Sequence, residues 1–204
     1  MADRKHGIPA PPTTSVVDRL TWDQDAISGS RHDAVLFVDV DFADVQEEGA
    51  AFNDCTFRGI RFNASAHTDA AFTNCTFTGC NFFDVTFTRC KLVGSMFDRC
   101  TYDLLTVEGG DWSLAGMPGA DLRKATFQGV RLREADLTGA RFEGAKVRDT
   151  DLSGAWMHAA SFRGADLRGS DLSALDPRNS DVQDALIDVE QAMVIAAALG
   201  LRIG

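Results

Sequence analysis

The chain has 204 residues, of which 45% are hydrophobic and 25% charged, and its mean hydropathy is −0.11. These values are typical of one soluble folded domain with short tails, and they exclude a wholly disordered chain. Acidic residues outnumber basic ones by 30 to 20, so the net charge is −10. Such an excess argues against direct binding to nucleic acid or to an anionic membrane and is compatible with a partner that has a basic surface.

The N-terminal residues 1–20 are rich in proline and are predicted to form a flexible arm. They lack the apolar core of a signal peptide. The longest apolar run, residues 193–199, is far shorter than the roughly 20 residues that span a bilayer. We therefore predict a cytoplasmic protein without membrane insertion.

A five-residue repeat occupies most of the chain. Every fifth residue from Phe37 to Leu172 is large and apolar at 26 of 28 positions, and the two exceptions are Glu47 and His67. A second column, two residues earlier, holds mostly small residues. This period matches neither a helix nor a strand. It predicts a solenoid in which each unit points one large and one small side chain inward and then turns a corner, and glycine at the last position of many units favours that turn.

Repeat units such as Ala135-Asp136-Leu137-Thr138-Gly139 make the chain resemble the pentapeptide-repeat proteins over residues 35–174. It is most similar to their quinolone-resistance branch, the Qnr and MfpA-like proteins, in residues 71–77, 92–97 and 188–192. The register never slips, so the chain looks more like the loop-free MfpA type. The resemblance implies an all-β solenoid, a right-handed quadrilateral β-helix with four units per coil, which we place at residues 21–175.

Four units per coil would stack residues that lie 20 apart in sequence at about 4.8 Å, the spacing of neighbouring strands. One inward stack would then begin with Phe37, Phe57, Phe77 and Phe97. Further along the chain the same columns hold mostly leucine and alanine. We therefore expect the packing of the core to change near residue 105.

The C-terminal segment 176–204 is predicted to hold a capping helix. Asp188 followed by Gln191 predicts a capping box, and Gly200 is placed to end the helix. The residues between them are apolar nearly all round, so we expect the helix to be buried on more than one side. It would cap the rod, and its spare apolar surface would form a homodimer, as the C-terminal end does in the resembled family; a cap without dimerisation is the alternative. The predicted dimer contacts are Ile187, Val189, Met193, Val194, Ala196, Ala197 and Leu199.

Polar groups in the inward columns are the candidates for chemistry. Glu47 and His67 are 20 residues apart and should meet, either as a catalytic or ligand-binding pair or, as we favour, as a mutually satisfied pair or an open part of the wall. The five cysteines fall in the small column, where parallel side chains do not converge on a zinc ion, so we predict buried, inert thiols. They are Cys55, Cys75, Cys80, Cys90 and Cys100. Nothing in the sequence supports an enzyme, a metal site or a cofactor.

The charge is uneven along the chain, since residues 32–111 carry 13 acidic and 5 basic groups and residues 112–175 carry 8 and 9. By resemblance, Qnr and MfpA-like proteins are rods that imitate DNA and bind the DNA-binding saddle of DNA gyrase, and often of topoisomerase IV. A C-terminal dimer would double the last acidic residues near the centre of that saddle. Our first-choice gyrase contacts are therefore Asp176, Asp181, Asp184, Asp188 and Glu190, and the second-choice contacts are Asp111, Asp121, Asp136, Asp151, Asp166 and Asp171.

The resemblance thus implies a DNA mimic that modulates gyrase or protects it against fluoroquinolones or other gyrase poisons, with antibiotic resistance or self-immunity of a poison producer as its role. The alternative is an acidic pentapeptide-repeat scaffold that binds another protein and has no topoisomerase role. Strongly salt-dependent binding to gyrase would favour mimicry, because salt screens interactions between exposed charges.

Overall fold

The structure is a computed structural model, and it describes residues 11–18 and 27–202. Over these residues the chain winds into a parallel β-helix with four sides, and residues 20 apart pair in register, as Thr86 does with Ala66 and Thr106. The predicted fold class is confirmed. No helix in this part of the chain is long and apolar enough to cross a bilayer.

Short strands form three of the four sides. In chain order they are β1 (Ser15–Asp18), β2 (Arg31–Asp33), β3 (Val35–Val38), β4 (Gln46–Glu48), β5 (Ala51–Asn53), β6 (Thr56–Arg58), β7 (Ala66–Thr68), β8 (Ala71–Thr73), β9 (Thr76–Thr78), β10 (Thr86–Thr88), β11 (Met96–Asp98), β12 (Thr106–Glu108), β13 (Thr126–Gln128) and β14 (Lys146–Arg148). The sheets run β1-β3-β6-β9-β11, β14-β13-β12-β10-β7-β4 and β2-β5-β8. Isolated bridges hold the fourth side, which we call the bridge side; they join Asp41, Arg61, Asn81 and Thr101 and, further on, Asp121, Arg141, Ser161 and Asp181.

Residues with a left-handed backbone conformation lie at many corners of the β-helix. Glycine, aspartate and asparagine hold most of these positions, as Gly59 (φ 65°) and Asp44 (φ 60°) do. Glycine has no Cβ and adopts this conformation freely, and the short polar side chains tolerate it. The turn residues of the repeat therefore explain why the chain bends every five residues.

Stacked phenylalanine rings fill the N-terminal part of the core. The centroids of Phe37 and Phe57 lie 5.0 Å apart, and those of Phe57 and Phe77 lie 4.8 Å apart, with nearly parallel planes. A second stack joins Phe62 and Phe82 at 4.9 Å. The predicted phenylalanine ladder is confirmed.

The core changes where it was expected to. Trp112 is fully buried against Phe97, and the small position before it is Gly110. The backbone at Gly110 is left-handed (φ 88°), and a Cβ there would run into the carbonyl oxygen of Cys90. Beyond this point the inward positions hold mainly leucine and alanine, such as Leu137 and Ala140.

The N-terminal segment differs from the flexible arm predicted for residues 1–20. Strand β1 pairs with β3 in parallel, with Val16 opposite Leu36, and adds a strand to the edge of the first sheet. The backbone groups of an edge strand are free to pair in this way, which composition does not reveal. Residues 1–10 and 19–20, and the predicted register position Trp22, lie outside the described residues.

One helix, α1 (Val189–Ala198), covers the C-terminal end of the rod. The predicted capping box is present: the Asp188 carboxylate accepts from the backbone N–H of Gln191, and the Gln191 side chain accepts from the backbone N–H of Asp188. Gly200 (φ 82°) ends the helix as predicted.

The prediction that this helix is buried on more than one side is wrong for the single chain. Its one fully buried residue is Gln191, whose amide donates to the backbone carbonyls of Leu167 (2.6 Å) and Ser170 (2.7 Å) on the last coil. The helix therefore caps the rod by satisfying exposed carbonyl groups, and Val189 is 79% exposed.

Candidate functional site

The first-choice acidic residues surround the capped end, and the carboxylates of three of them already form hydrogen bonds or an ion pair within the chain. Asp188 is the N-cap of α1 and also accepts from the backbone N–H of Gly169 (3.0 Å). Asp181 pairs with Arg163 at 2.9 Å, and Asp176 accepts from the N–H of Arg178. The side chains of Asp184 and Glu190 form no hydrogen bond or ion pair with another residue in the described part of the chain.

The second-choice residues lie on the C-terminal coils, and four of the six are paired with arginine. The guanidinium of Arg123, 2.6 Å from Asp121, lowers the pKa of that carboxyl, and Arg168 does the same for Asp166. The four ion-paired carboxylates and their partners are Asp111 with Arg131, Asp121 with Arg123 and Arg141, Asp151 with Arg133, and Asp166 with Arg168 and Arg148. Asp136 and Asp171 accept backbone N–H groups two residues ahead. Most of the negative charge on these coils is therefore neutralised locally.

The N-terminal coils present the least neutralised acidic surface. Several carboxylates there have no ion pair with any residue that the structure describes: Asp33, Asp39, Asp44, Glu48, Asp54, Asp84 and Glu108. The gyrase contacts predicted from the sequence did not include these residues. The charge balance of residues 32–111 was the signal that could have identified them, because this region carries a net −8 from 13 acidic and 5 basic groups.

The predicted dimer residues are divided by the cap. Ile187 and Ile195 pack against the core of the rod, so Ile187 is not free for a second chain. Val189, Met193, Val194 and Leu199 are 79%, 47%, 39% and 41% exposed, and Leu201, which the sequence reasoning missed, is 62% exposed. Ala196 is half-buried and Ala197 exposed. The single chain therefore has an apolar surface at its capped end.

Glu47 and His67 meet inside the rod, and Ser65 completes their network. His67 Nδ1 lies 3.0 Å from Glu47 Oε2, and His67 Nε2 lies 3.0 Å from Ser65 Oγ. The backbone N–H of Ala50 donates to the other carboxylate oxygen of Glu47. Both side chains of the Glu47–His67 pair are fully buried, and Phe87 stacks on the imidazole at 5.1 Å. The carboxylate, imidazole and hydroxyl groups follow the order of the groups in a nucleophilic triad. Their side chains are buried away from solvent, however, so we interpret the network as polar groups of the core that satisfy one another's hydrogen bonds.

The thiols follow one pattern, in which the Sγ atom donates to the carbonyl of the residue 23 positions earlier. Cys90 donates to the carbonyl of His67 at 3.2 Å, and burial raises its pKa to about 12. Burial also raises the pKa of Cys80. Cys100 is partly buried against the core, and its hydrogen bond with Cys80 lowers its pKa. Within residues 11–18 and 27–202, no group of His, Cys, Asp and Glu side chains is arranged to hold a metal ion.

Comparisons with known proteins agree with this architecture. A sequence profile of the pentapeptide repeats, in eight copies, matches residues 68–101, 117–154 and 135–173. Two solved structures are similar in fold. One is a trypsin-treated variant of QnrB1, described as a plasmid-mediated fluoroquinolone resistance protein, with a TM-score of 0.56 and 23% identity over 94% of this chain and 100% of that chain.

The second is HetL, a pentapeptide-repeat protein involved in heterocyst differentiation regulation in the cyanobacterium Nostoc sp. strain PCC 7120. Its TM-score is 0.61, with 18% identity over 86% of both chains. No curated protein sequence matches this chain significantly. The unbroken five-residue register, the four-sided parallel coil and the matching profile together identify the chain as a pentapeptide-repeat protein.

Proposed function

We propose that this protein is a DNA mimic of the Qnr and MfpA-like kind, which binds DNA gyrase and modulates it or protects it against fluoroquinolones or other gyrase poisons. The observation that carries the proposal is the acidic surface of the N-terminal coils, where carboxylates such as Asp44 and Asp84 have no ion pair with a described residue. A rod with repeated negative charge is a polyanion that can compete with duplex DNA for an enzyme that binds duplex DNA.

Contact with gyrase would be made through carboxylates that the fold leaves available. On the N-terminal coils these include Asp44 and Asp84, and at the capped end they are Asp184 and Glu190. The acidic residues that pair with arginine, such as Asp121 and Asp166, would contribute less, because a neighbouring guanidinium cancels much of their field.

A homodimer through the capped end would double the length of this acidic rod. The exposed side chains of Val189, Met193 and Leu199 support it, since apolar side chains gathered at one end of a soluble chain favour a protein contact. The second copy would cover them and leave the acidic coils pointing away from the junction.

A scaffold role that involves another protein is the second candidate. The similarity in fold to HetL is as good as that to QnrB1, and HetL is described as involved in heterocyst differentiation regulation. A scaffold would need no net negative field, and the ion-paired C-terminal coils fit that role equally well.

A supercoiling assay tests the proposal. Purified protein is titrated into DNA gyrase, with and without a fluoroquinolone, at low and at moderate salt. We expect inhibition of supercoiling or rescue from the drug, with an effect that falls steeply as salt rises. No effect at a large molar excess, with gyrase from a close relative of the source, would contradict the gyrase proposal and favour the scaffold.

A further inference from the structure

The hydrogen-bond ladder is interrupted at one place on the bridge side. Before it, the N–H of Phe82 donates to the carbonyl of Thr101 at 2.9 Å, and after it the N–H of Leu122 donates to the carbonyl of Arg141 at 2.8 Å. Between residues 101–104 and residues 121–124, all of them described, the corresponding bonds and the bridge from Thr101 to Asp121 are absent.

The interruption is confined to this side. At the same level Thr106 pairs with Thr126, Asp111 with Arg131, and Gly116 with Asp136. It falls where the inward stack passes from an aromatic ring to leucine. The ring of Tyr102 also lies 5.8 Å from that of Phe82, whereas the preceding pair, Phe62 and Phe82, is 4.9 Å apart. The change in core packing therefore opens the wall locally.

A surface depression of about 510 Å³ lies over the interruption, and we call it the notch. Its lining consists of Cys100, Thr101, Tyr102, Asp103, Asp121, Arg123 and Lys124. The ammonium of Lys124 lies 3.3 Å from the Asp103 carboxylate across the notch. Backbone donors and acceptors on its two walls, which elsewhere pair with each other, are free to bond to something else.

Two exposed apolar residues adjoin a residue of the notch, one along the chain and one in the preceding coil; we call them the apolar rim. Thirteen of the 14 phenylalanines point into the core, and the remaining one, Phe83, is 43% exposed. Phe83 lies one coil before Asp103, and Leu104, which follows Asp103 in the chain, is 46% exposed. Leu104 also has a left-handed backbone (φ 60°), a conformation that is unfavourable for a leucine. Leu114 shares this conformation and a similar exposure, so what distinguishes Leu104 is its place beside the notch.

We propose that the notch and its apolar rim dock a loop of a protein partner that presents an apolar side chain next to a basic one. The apolar side chain would pack on Phe83 and Leu104. The extended backbone of the loop would pair with the free N–H and carbonyl groups of the notch, as in strand addition. Asp84, next to Phe83 in the chain, has no ion pair with a residue that the structure describes and complements the basic side chain.

A protein loop fits these features better than nucleic acid does. A duplex has no apolar side chain to cover Phe83 and Leu104, and the net charge of −10 repels phosphate. The apolar contact would therefore contribute binding energy that salt does not screen, whereas the rest of the interaction is electrostatic. The inference rests on the proposed function only for the identity of the partner, gyrase.

The decisive variant is Leu104→Gly, with Leu114→Gly as its matched control. Leu114 has the same left-handed backbone (φ 61°) and is 43% exposed, but it lies ten residues further on, at the opposite corner of the coil. Because glycine relieves the same conformation at both positions, neither variant should lose thermal stability. Phe83→Ser removes the second apolar side chain.

Binding of immobilised gyrase is measured for the four proteins at low and high salt. We expect Leu104→Gly and Phe83→Ser to weaken binding about tenfold, most visibly at high salt, and Leu114→Gly to bind like the parent. Equal affinities of the Leu104→Gly and Leu114→Gly variants would overturn the docking site and leave gyrase binding intact. A change in self-association with Leu104→Gly, measured by sedimentation, would instead assign the surface to a second copy and also overturn it.

If the parent protein fails to bind gyrase, the proposed function fails on its own. The notch is then tested with a synthetic peptide of alternating lysine and leucine, against a lysine-glycine peptide of equal charge. The docking site is supported if the protein prefers the lysine-leucine peptide, if Leu104→Gly abolishes this preference and if Leu114→Gly keeps it. Alkylation of Cys100, which lines the notch, provides a footprint that bound peptide should slow; an unchanged rate and no preference would overturn the site.

Discussion

The two halves of the rod have one backbone plan and different contents. In the N-terminal half, aromatic rings stack at about 5 Å, short strands occupy three sides, and many carboxylates have no ion pair with a described residue. In the C-terminal half, leucine and alanine fill the core, β13 and β14 are the strands that remain, and arginines pair with the acidic residues. The comparison teaches that the repeat specifies the coil through the size of its inward residues and the turn residues at its corners, which leaves the rest of the surface of each half free to differ.

The largest effect should come from removing a ring in the aromatic half. Phe57 stacks between Phe37 and Phe77 and is fully buried, so Phe57→Ala should lower the free energy of unfolding by about 3–5 kcal/mol. Leu137→Ala at an equivalent buried position should cost about 1 kcal/mol less, because no aromatic stacking is lost. Chemical denaturation of both variants gives the difference. Equal losses would show that stacking adds nothing to burial.

The buried polar pair of the aromatic half should reveal itself through non-additivity. His67→Ala leaves the Glu47 carboxylate buried without its partner and should cost about 3 kcal/mol. Adding Glu47→Ala should restore part of that loss, because the unpaired charge is then removed. A double-mutant cycle in denaturant measures the coupling. A double variant whose loss equals the sum of the two single losses would contradict the interaction.

Neutralising acidic residues should affect gyrase binding differently in the two halves. Asp44→Asn with Asp84→Asn removes two carboxylates that have no described ion pair and should weaken binding about threefold to tenfold at low salt. Asp121→Asn with Asp166→Asn removes the same charge from arginine-paired sites and should have a smaller effect. Affinities at two salt concentrations give the comparison. The reverse order would place the gyrase contact on the C-terminal coils.

The smallest effect concerns the cap, and it depends on pH. Backbone N–H groups of Gln191 and Gly169 lower the pKa of Asp188, so its stabilising contribution is complete above about pH 4, its unfolded range, and is lost as pH falls through the lower folded value. Asp188→Ala should remove this dependence and reduce the helical signal in circular dichroism. Asp184→Asn, four residues earlier, is the control and should leave both unchanged, because asparagine tolerates the left-handed backbone at this position (φ 60°).

The repeat made the fold predictable because large and small residues recur at fixed positions, and these positions are the ones that point into the core. The ladder from Phe37 to Phe97, the capping box at Asp188 and a change of core near residue 105 were all predictable from five-residue spacing and local capping rules. The meeting of Glu47 with His67 also followed, since residues 20 apart must stack once a coil has four units. Ser65 was not expected to bond to His67, because hydrogen bonds across the interior depend on side-chain rotamers.

Sequence by itself therefore determined the architecture of this protein, its acidic character and which side chains point inward. Only the tertiary structure decided which carboxylates are neutralised, because pairs such as Arg163 with Asp181 and Lys124 with Asp103 join residues that are not 20 apart in the chain. It also decided that α1 buries Gln191 and exposes Val189, and that the bridge side opens beside Tyr102. Local spacing selects the turn of each unit, whereas pairing, exposure and gaps in the wall depend on how successive coils meet.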